Sequence, residues 1–314
     1  MNEPLIVLNA LVIRADSSPP LAHRAARTAY NVNRAGLGIE EAGTQDRVLA
    51  LTERPQWEWE AFDEYWRKMH GPKILHVDGA QDRQTGLLHY YLQQHRIPGG
   101  PSSGWAPPYR PMVDADERLV RDPAARCPTH QRPAWDGVAQ LGYRSRADLL
   151  AFFDLNAGKY REKIIPDEAV FIRGFGFHLA EEHVIVEAAN RRRDPIILIR
   201  LHARNSELTR AQFRGRWMAQ HAEIVRHAAA ADSRLRRYAQ LVNISEATDT
   251  LYDPVGDRYD GVSVMSFANM NDIEEFMSSE AYARIQADEA EFARETLFYT
   301  ALNYVIHDAG ISAA

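Results

Sequence analysis

Cysteine is almost absent from this chain. Cys127 alone cannot close an internal disulfide, so a disulfide scaffold is excluded and a reducing, cytoplasmic compartment is expected. Lysine is scarce as well: Lys68, Lys73, Lys159 and Lys163 are the whole set, and the rest of the 37 Lys+Arg positions are arginine. Arg191-Arg192-Arg193 is the one tight basic cluster, and between Asn190 and Asp194 it reads as a solvated loop. There is no long apolar run. Leu5-Ile6-Val7-Leu8 stops at Asn9 and follows Glu3 and Pro4 without a basic flank, which fits neither a signal peptide nor a membrane span. A formal charge of −6 argues against nucleic acid and anionic membrane as partners. Gly36-x-Gly38 and Gly174-x-Gly176 lack the strand–turn–helix setting of a dinucleotide site. No His-Glu-x2-His is present, and His178 and His183 would face opposite sides of a strand. No metal and no cofactor is therefore expected, although a single axial histidine for haem would leave no spacing signature.

What is present suits a large globular core. Of 314 residues 45% are apolar and 25% charged, enough for about two domains. The chain also repeats itself. Residues 62–70 and 213–221 both read Phe-x3-Trp-x3-His. Residues 88–93 and 235–240 share Leu-x2-Tyr-x-Gln. Trp135-Asp136-Gly137-Val138 answers Tyr259-Asp260-Gly261-Val262, and Asp167-Glu168-x2-Phe171 answers Asp288-Glu289-x2-Phe292. The register then holds without a gap, Phe177 to Phe298 and Val184-Ile185 to Val305-Ile306.

Hydrophobic periodicity gives each copy the order strand, helix, strand, strand, helix, strand. In the second copy the elements fall at about 196–201, 209–227, 237–244, 261–267, 273–294 and 297–306. Thr209 is placed as an N-cap, and a break is expected near Ser278-Ser279. In the first they fall at about 47–53, 57–70, 87–95, 137–142, 146–170 and 172–186. This is the split βαβ, ferredoxin-like unit, whose bare sheet face needs a cover. The expected fold is α+β: tandem ferredoxin-like repeats closing a single-chain α+β barrel, a pseudo-dimer with a hollow between its sheets. Residues 1–45 read as an N-terminal extension with a strand at Leu5–Ile13. The first repeat reads as 46–190 with a long insertion at 96–134, and the second as 195–308. A loop of that length is a lid, a binding loop or a disordered segment.

The ordered set His70, Trp135-Asp136-Gly137 and Asp167-Glu168-x2-Phe171, with its copy at His221, Tyr259-Asp260-Gly261 and Asp288-Glu289-x2-Phe292, resembles the EthD family of the dimeric α+β barrel superfamily. The resemblance implies barrels with a mostly apolar pocket. It implies relatives that include decarboxylases of aromatic polyketide acids, cofactor-free monooxygenases, cyclases, lactone isomerases and haem enzymes. Several use a pocket histidine as acid or base.

His70 and His221 close a helical i, i+4 pattern with Trp66 and Trp217, so each is either a satisfied core histidine or an acid/base at a pocket edge. Asp136-Gly137 and Asp260-Gly261 read as turns with a left-handed glycine. Asp167-Glu168 and Asp288-Glu289 read as solvated carboxylates. Histidines without a histidine in the other copy carry more information: His95 faces Val242 in the alignment, and His178 faces Tyr299. Tyr90, Tyr91, His95 and His178 could converge with Trp105 and Tyr109 of the insertion into an aromatic, protic pocket, while Tyr238 reads as packing. The expected function is a cofactor-independent lyase, a decarboxylase of an aromatic or polyketide-like acid. A cofactor-free oxygenase or cyclase acting on polyphenols and a non-catalytic carrier of apolar aromatics are the alternatives. A homodimer is left open.

Overall fold

The computed structural model describes residues 3–15, 59–76, 86–103, 106–108, 135–153, 160–188 and 192–309. Its first unit runs β1 (Leu5–Arg14), α1 (Trp59–Tyr65), α2 (Gly71–Leu75), β2 (Leu88–Arg96), β3 (Gly137–Tyr143), α3 (Arg146–Phe153), α4 (Ile165–Phe171) and β4 (Ile172–Val186). The second runs β5 (Ile196–Arg204), α5 (Arg210–Arg216), α6 (Ala222–Ala231), β6 (Arg237–Asn243), β7 (Gly261–Phe267), α7 (Met270–Met277), α8 (Glu280–Phe292) and β8 (Ala293–Asp308). Thr209 caps α5 in a reciprocal capping box with Gln212. Ser279 starts α8 by accepting from the Tyr282 amide, which is why the helix breaks there.

The strands close a barrel in the order β1-β3-β2-β8-β5-β7-β6-β4. Each unit contributes the ferredoxin-like order, and the seams are the antiparallel pairs β2–β8 and β4–β6. Closure removes every free sheet edge. Equivalent residues meet across the pseudo-two-fold: Trp135 Nε1 donates to Tyr259 Oη at 2.9 Å.

Strand alternation sorts the side chains into layers. Val7, Leu11, Leu92, Val138, Ile199, Leu201, Leu241 and Val264 fill the barrel interior. Leu8, Val12, Leu141 and Leu179 point outward and pack under Phe62, Trp66 and Phe171 of the helices. Leu198, Met265 and Phe267 do the same beneath Val225, Ile273 and Phe276.

Two placements differ from the sequence reading. Leu5–Arg14 is not an extension but the first strand of unit 1: it fills the slot between β3 and β4 that Ile196–Arg204 fills in unit 2. In unit 2 that strand leads into its helix within a few residues, whereas in unit 1 a long stretch intervenes. The strand expected at about 47–53, just upstream of the helix, lies outside the described residues. Arg192 is not solvated. Its guanidinium binds Glu182 at 2.7 Å and covers the Tyr90 ring at 4.1 Å. A buried carboxylate there requires a cation, which loop composition does not reveal. The insertion after β2 begins by following β8, with a bridge between Ser102 and Tyr299.

Candidate active site between helices and sheet

The Phe-Trp-His motif forms the same structure twice. Trp66–His70 and Trp217–His221 are π-helical turns between two α-helical segments, a feature frequent at functional sites. The Gln93 amide donates to the Trp66 carbonyl at 3.0 Å, and Gln240 donates to Trp217 at 2.9 Å. Each tryptophan lies flat on the glycine opening β3 or β7. A Cβ on Gly137 would sit 2.5 Å from the Trp66 ring, and one on Gly261 2.2 Å from Trp217. Neither glycine is left-handed, so the turn reading of these two residues is corrected. They are glycine because a ring needs the room. The preceding aspartates fix the strand start: Asp136 accepts from the Arg14 amide and Asp260 from the Arg204 amide.

The π turn aims each histidine at the Asp-Glu pair on the last helix of its unit. His70 Nδ1 meets Asp167 Oδ2 at 2.8 Å, and His221 Nδ1 meets Asp288 Oδ2 at 2.9 Å. These aspartates are buried, not solvated, because the helix turns them inward against the π turn. Burial alone would raise the Asp167 carboxyl. His70, Lys73 and Tyr65 outweigh it and hold the pKa at about 2. An anion on Nδ1 keeps the proton there and leaves Nε2 as the exchanging nitrogen.

The two units diverge beyond this dyad. In unit 2, Arg200 of β5 runs under the helices, grips Glu289 through both its Nε and Nη2, and reaches Tyr282 Oη with Nη1. Burial would raise the Glu289 carboxyl, but the guanidinium holds it below the ordinary glutamate value. His202 is bonded to Ser263 and Thr296, and burial drives its pKa down to about 3. His221 itself is fully buried. In unit 1, Ala10 stands where Arg200 stands, and Ala139 replaces Ser263. Among the described residues Glu168 keeps only the Tyr160 hydroxyl at 3.0 Å. Burial pushes its carboxyl above the ordinary value, and Asp167 adds to this. Ala10, Glu168 and Tyr160 are partly exposed, whereas Arg200 and Glu289 are buried. At these positions unit 1 is partly exposed where unit 2 is buried.

The other candidate residues separate by strand parity. Tyr91 faces the helices and its hydroxyl accepts from Gln93 at 2.7 Å; Tyr238 does the same with Gln240 at 3.1 Å and also meets Ser263. His95 also faces the helices, but it is stacked on Trp66 at 4.2 Å with both nitrogens bonded, to Asp63 and Gln93, which makes it a packing residue. Tyr90 and His178 point into the barrel instead, so the four do not converge. The His178 nitrogens have no partner in hydrogen-bond geometry, and burial lowers its pKa to about 4 against the opposing pull of nearby Asp257 and the Gly256 carbonyl. It ends a row in which Gln94 donates to Gln140 and Gln140 to Asn9, all of them buried. Trp105 and Tyr109 lie outside the described residues. Among the described residues no three His, Cys, Asp or Glu side chains group as metal ligands.

The EthD domain family matches residues 54–174 and 205–296, about two thirds of the chain and both copies of the motif. The chain belongs to the EthD family. No curated protein matches this EthD protein. Among solved structures it is similar to a putative monooxygenase from Lactobacillus acidophilus, with a TM-score of 0.41 at 7% identity over 96% of this chain and 94% of that one. It is also similar to an anthrone oxidase-like protein, at 0.42 and 10% identity over 99% and 97%. Chlorite dismutase from Candidatus Nitrospira defluvii gives 0.41 at 10% over 96% and 92%. Likeness of this degree assigns no chemistry. In this EthD protein the sequence reading took Asp167 and Glu168 as solvated and gave Lys73 and Ala10 no role. The usable signal was that His and Asp-Glu recur together in both copies, as partners in contact do.

No helix among the described residues is long and apolar enough to cross a membrane.

Proposed function

We propose that this EthD protein is a lyase that decarboxylates an aromatic acid in the cleft of unit 1, with His70 as the proton donor. The observation that carries the reading is the His70–Asp167 dyad beside the partly exposed Glu168, Tyr160 and Ala10, where its copy has the buried Arg200–Glu289 pair. Decarboxylation breaks the bond between ring and carboxyl carbon, and the electron pair stays on the ring. A proton arriving from His70 Nε2 takes up that pair, so the electron balance is met without an added cofactor. Asp167 stays ionised through the working pH range and stabilises the imidazolium before transfer. Burial raises the pKa of Tyr91, which keeps its hydroxyl protonated as a hydrogen-bond donor to a developing oxyanion, while the Tyr160 hydroxyl is given to Glu168. Lys73, half exposed beside Asp167, adds positive charge near the entry.

The test is carbon dioxide release from a panel of hydroxylated benzoic and naphthoic acids by chelator-treated protein. His70→Gln should lower turnover by about 10²–10⁴-fold, and His221→Gln should leave it. Equal turnover in wild type and His70→Gln would remove His70 from the mechanism. Oxygen uptake in place of carbon dioxide release would turn the reading toward an oxygenase.

A further inference from the structure

The duplicate provides an internal reference for what unit 1 accommodates. Strand register fixes the equivalence. Val12 pairs with Gly137 as His202 pairs with Gly261, and Ala10 pairs with Phe177 as Arg200 pairs with Phe298. In unit 2 the Arg200 guanidinium lies over the Phe298 ring at 5.2 Å and meets the Glu289 carboxylate edge-on with two N–H groups. Unit 1 keeps the carboxylate as Glu168 and the ring as Phe177, but Ala10 supplies no guanidinium. The residue paired with Ala10 is small as well, since Ala139 replaces Ser263, and on the helix Tyr160 stands where Ala281 stands and bonds one Glu168 oxygen at 3.0 Å. A hydroxyl is added: Tyr143 stands where Phe267 stands, and its buried Oη has no partner. A buried polar atom left in this way is unfavourable unless something pairs with it.

We infer that the unit 1 cleft takes a flat group that presents two hydrogen-bond donors along one edge, received by Glu168 over Ala10 as Glu289 receives Arg200. The inference rests on unit 1 being the working site and names the part of the substrate that enters it. An amidine, or adjacent hydroxyls on an aromatic ring, has this form. The carboxylate accepts both donors, the oxygen that holds the Tyr160 hydroxyl using its second lone pair, Phe177 lies beneath the plane, and the reacting carbon is left toward His70. Ala10 is then the residue that decides specificity, because an arginine there would close the cleft as Arg200 closes its counterpart.

Benzamidine is the probe, measured by titration calorimetry at pH 7.5. Wild type should bind one equivalent. Glu168→Gln keeps the shape but turns one acceptor oxygen into a donor group, and should weaken binding at least about tenfold. Ala10→Arg should abolish it, with circular dichroism reporting on the fold. No saturable binding to wild type, or equal affinity in Glu168→Gln, overturns the inference. His70→Gln should still bind benzamidine. Turnover that depends on His70 alongside binding that ignores Glu168 would discard the subsite and leave the lyase reading. Binding that depends on Glu168 with no turnover of any acid would do the reverse.

Discussion

Replacing Asp167 by asparagine removes one charge and changes almost no volume, so its effect on stability isolates the ion at the centre of the candidate site. The carboxyl falls from an ordinary 3.8 to about 2 in the folded chain. At 1.36 kcal/mol per unit this is about 2 kcal/mol of stability held by the anion. The side chain is 2% exposed, so solvent screening takes little of it. Of its partners only Lys73, at 45% exposure, is well solvated. The sign follows from a depressed carboxyl: the contribution is complete above pH 3.8 and disappears as pH falls through 2. Urea unfolding at pH 7 should find Asp167→Asn about 2 kcal/mol less stable than wild type. Roughly half that difference should remain at pH 3. A variant within about 0.5 kcal/mol of wild type at pH 7, or a gap that does not narrow in acid, would refute the reading of Asp167 as a buried anion gripped by His70, Tyr65 and Lys73.

Three further outcomes are expected. Arg200→Met leaves Glu289 buried without its cation and should cost about 3–5 kcal/mol, most of which Arg200→Met with Glu289→Gln should restore; a single variant as stable as wild type would contradict the filled-site description of unit 2. Gly261→Ala drives a methyl into the Trp217 ring and should cost about 1–3 kcal/mol or more, whereas Gly215→Ala, with nothing within 4 Å, should be neutral or stabilising; equal melting temperatures for the two would reject the close approach. His178 has a folded pKa of about 4 against an ordinary 6.5, so it stays neutral in the barrel and progressively disfavours the folded state as pH falls from 6.5 to 4. His178→Leu should flatten that part of the stability–pH curve by about 3 kcal/mol, and an unchanged slope would show that the imidazole is not responsible.

The two copies were legible because residues meeting in one place recur at one spacing. Phe62-Trp66-His70 and Asp167-Glu168 were visible as repeats of Phe213-Trp217-His221 and Asp288-Glu289, and with the β-rich runs they gave the α+β barrel. Thr209 and the Ser278-Ser279 break were legible for a local reason, since caps act within one turn of chain. The roles of these residues were less legible. Asp136-Gly137 looked like a turn until the Trp66 ring was seen lying on the glycine, and Asp167-Glu168 looked solvated until α4 packed against the π turn. Strand parity put Tyr91 and His95 on one face and Tyr90 and His178 on the other, a distinction a single bulge can reverse.

The sequence alone settled what is repeated: two like units, most of the strands and helices inside each, and the recurrence of a histidine and an acidic dipeptide in both. Those are set by local periodicity and by side-chain types that recur. Which copy is open was decided only in three dimensions. It depends on whether the strand residue facing Glu168 or Glu289 is Ala10 or Arg200, and β1 comes to lie beside β3 and β4 only when long-range pairing closes the barrel around it.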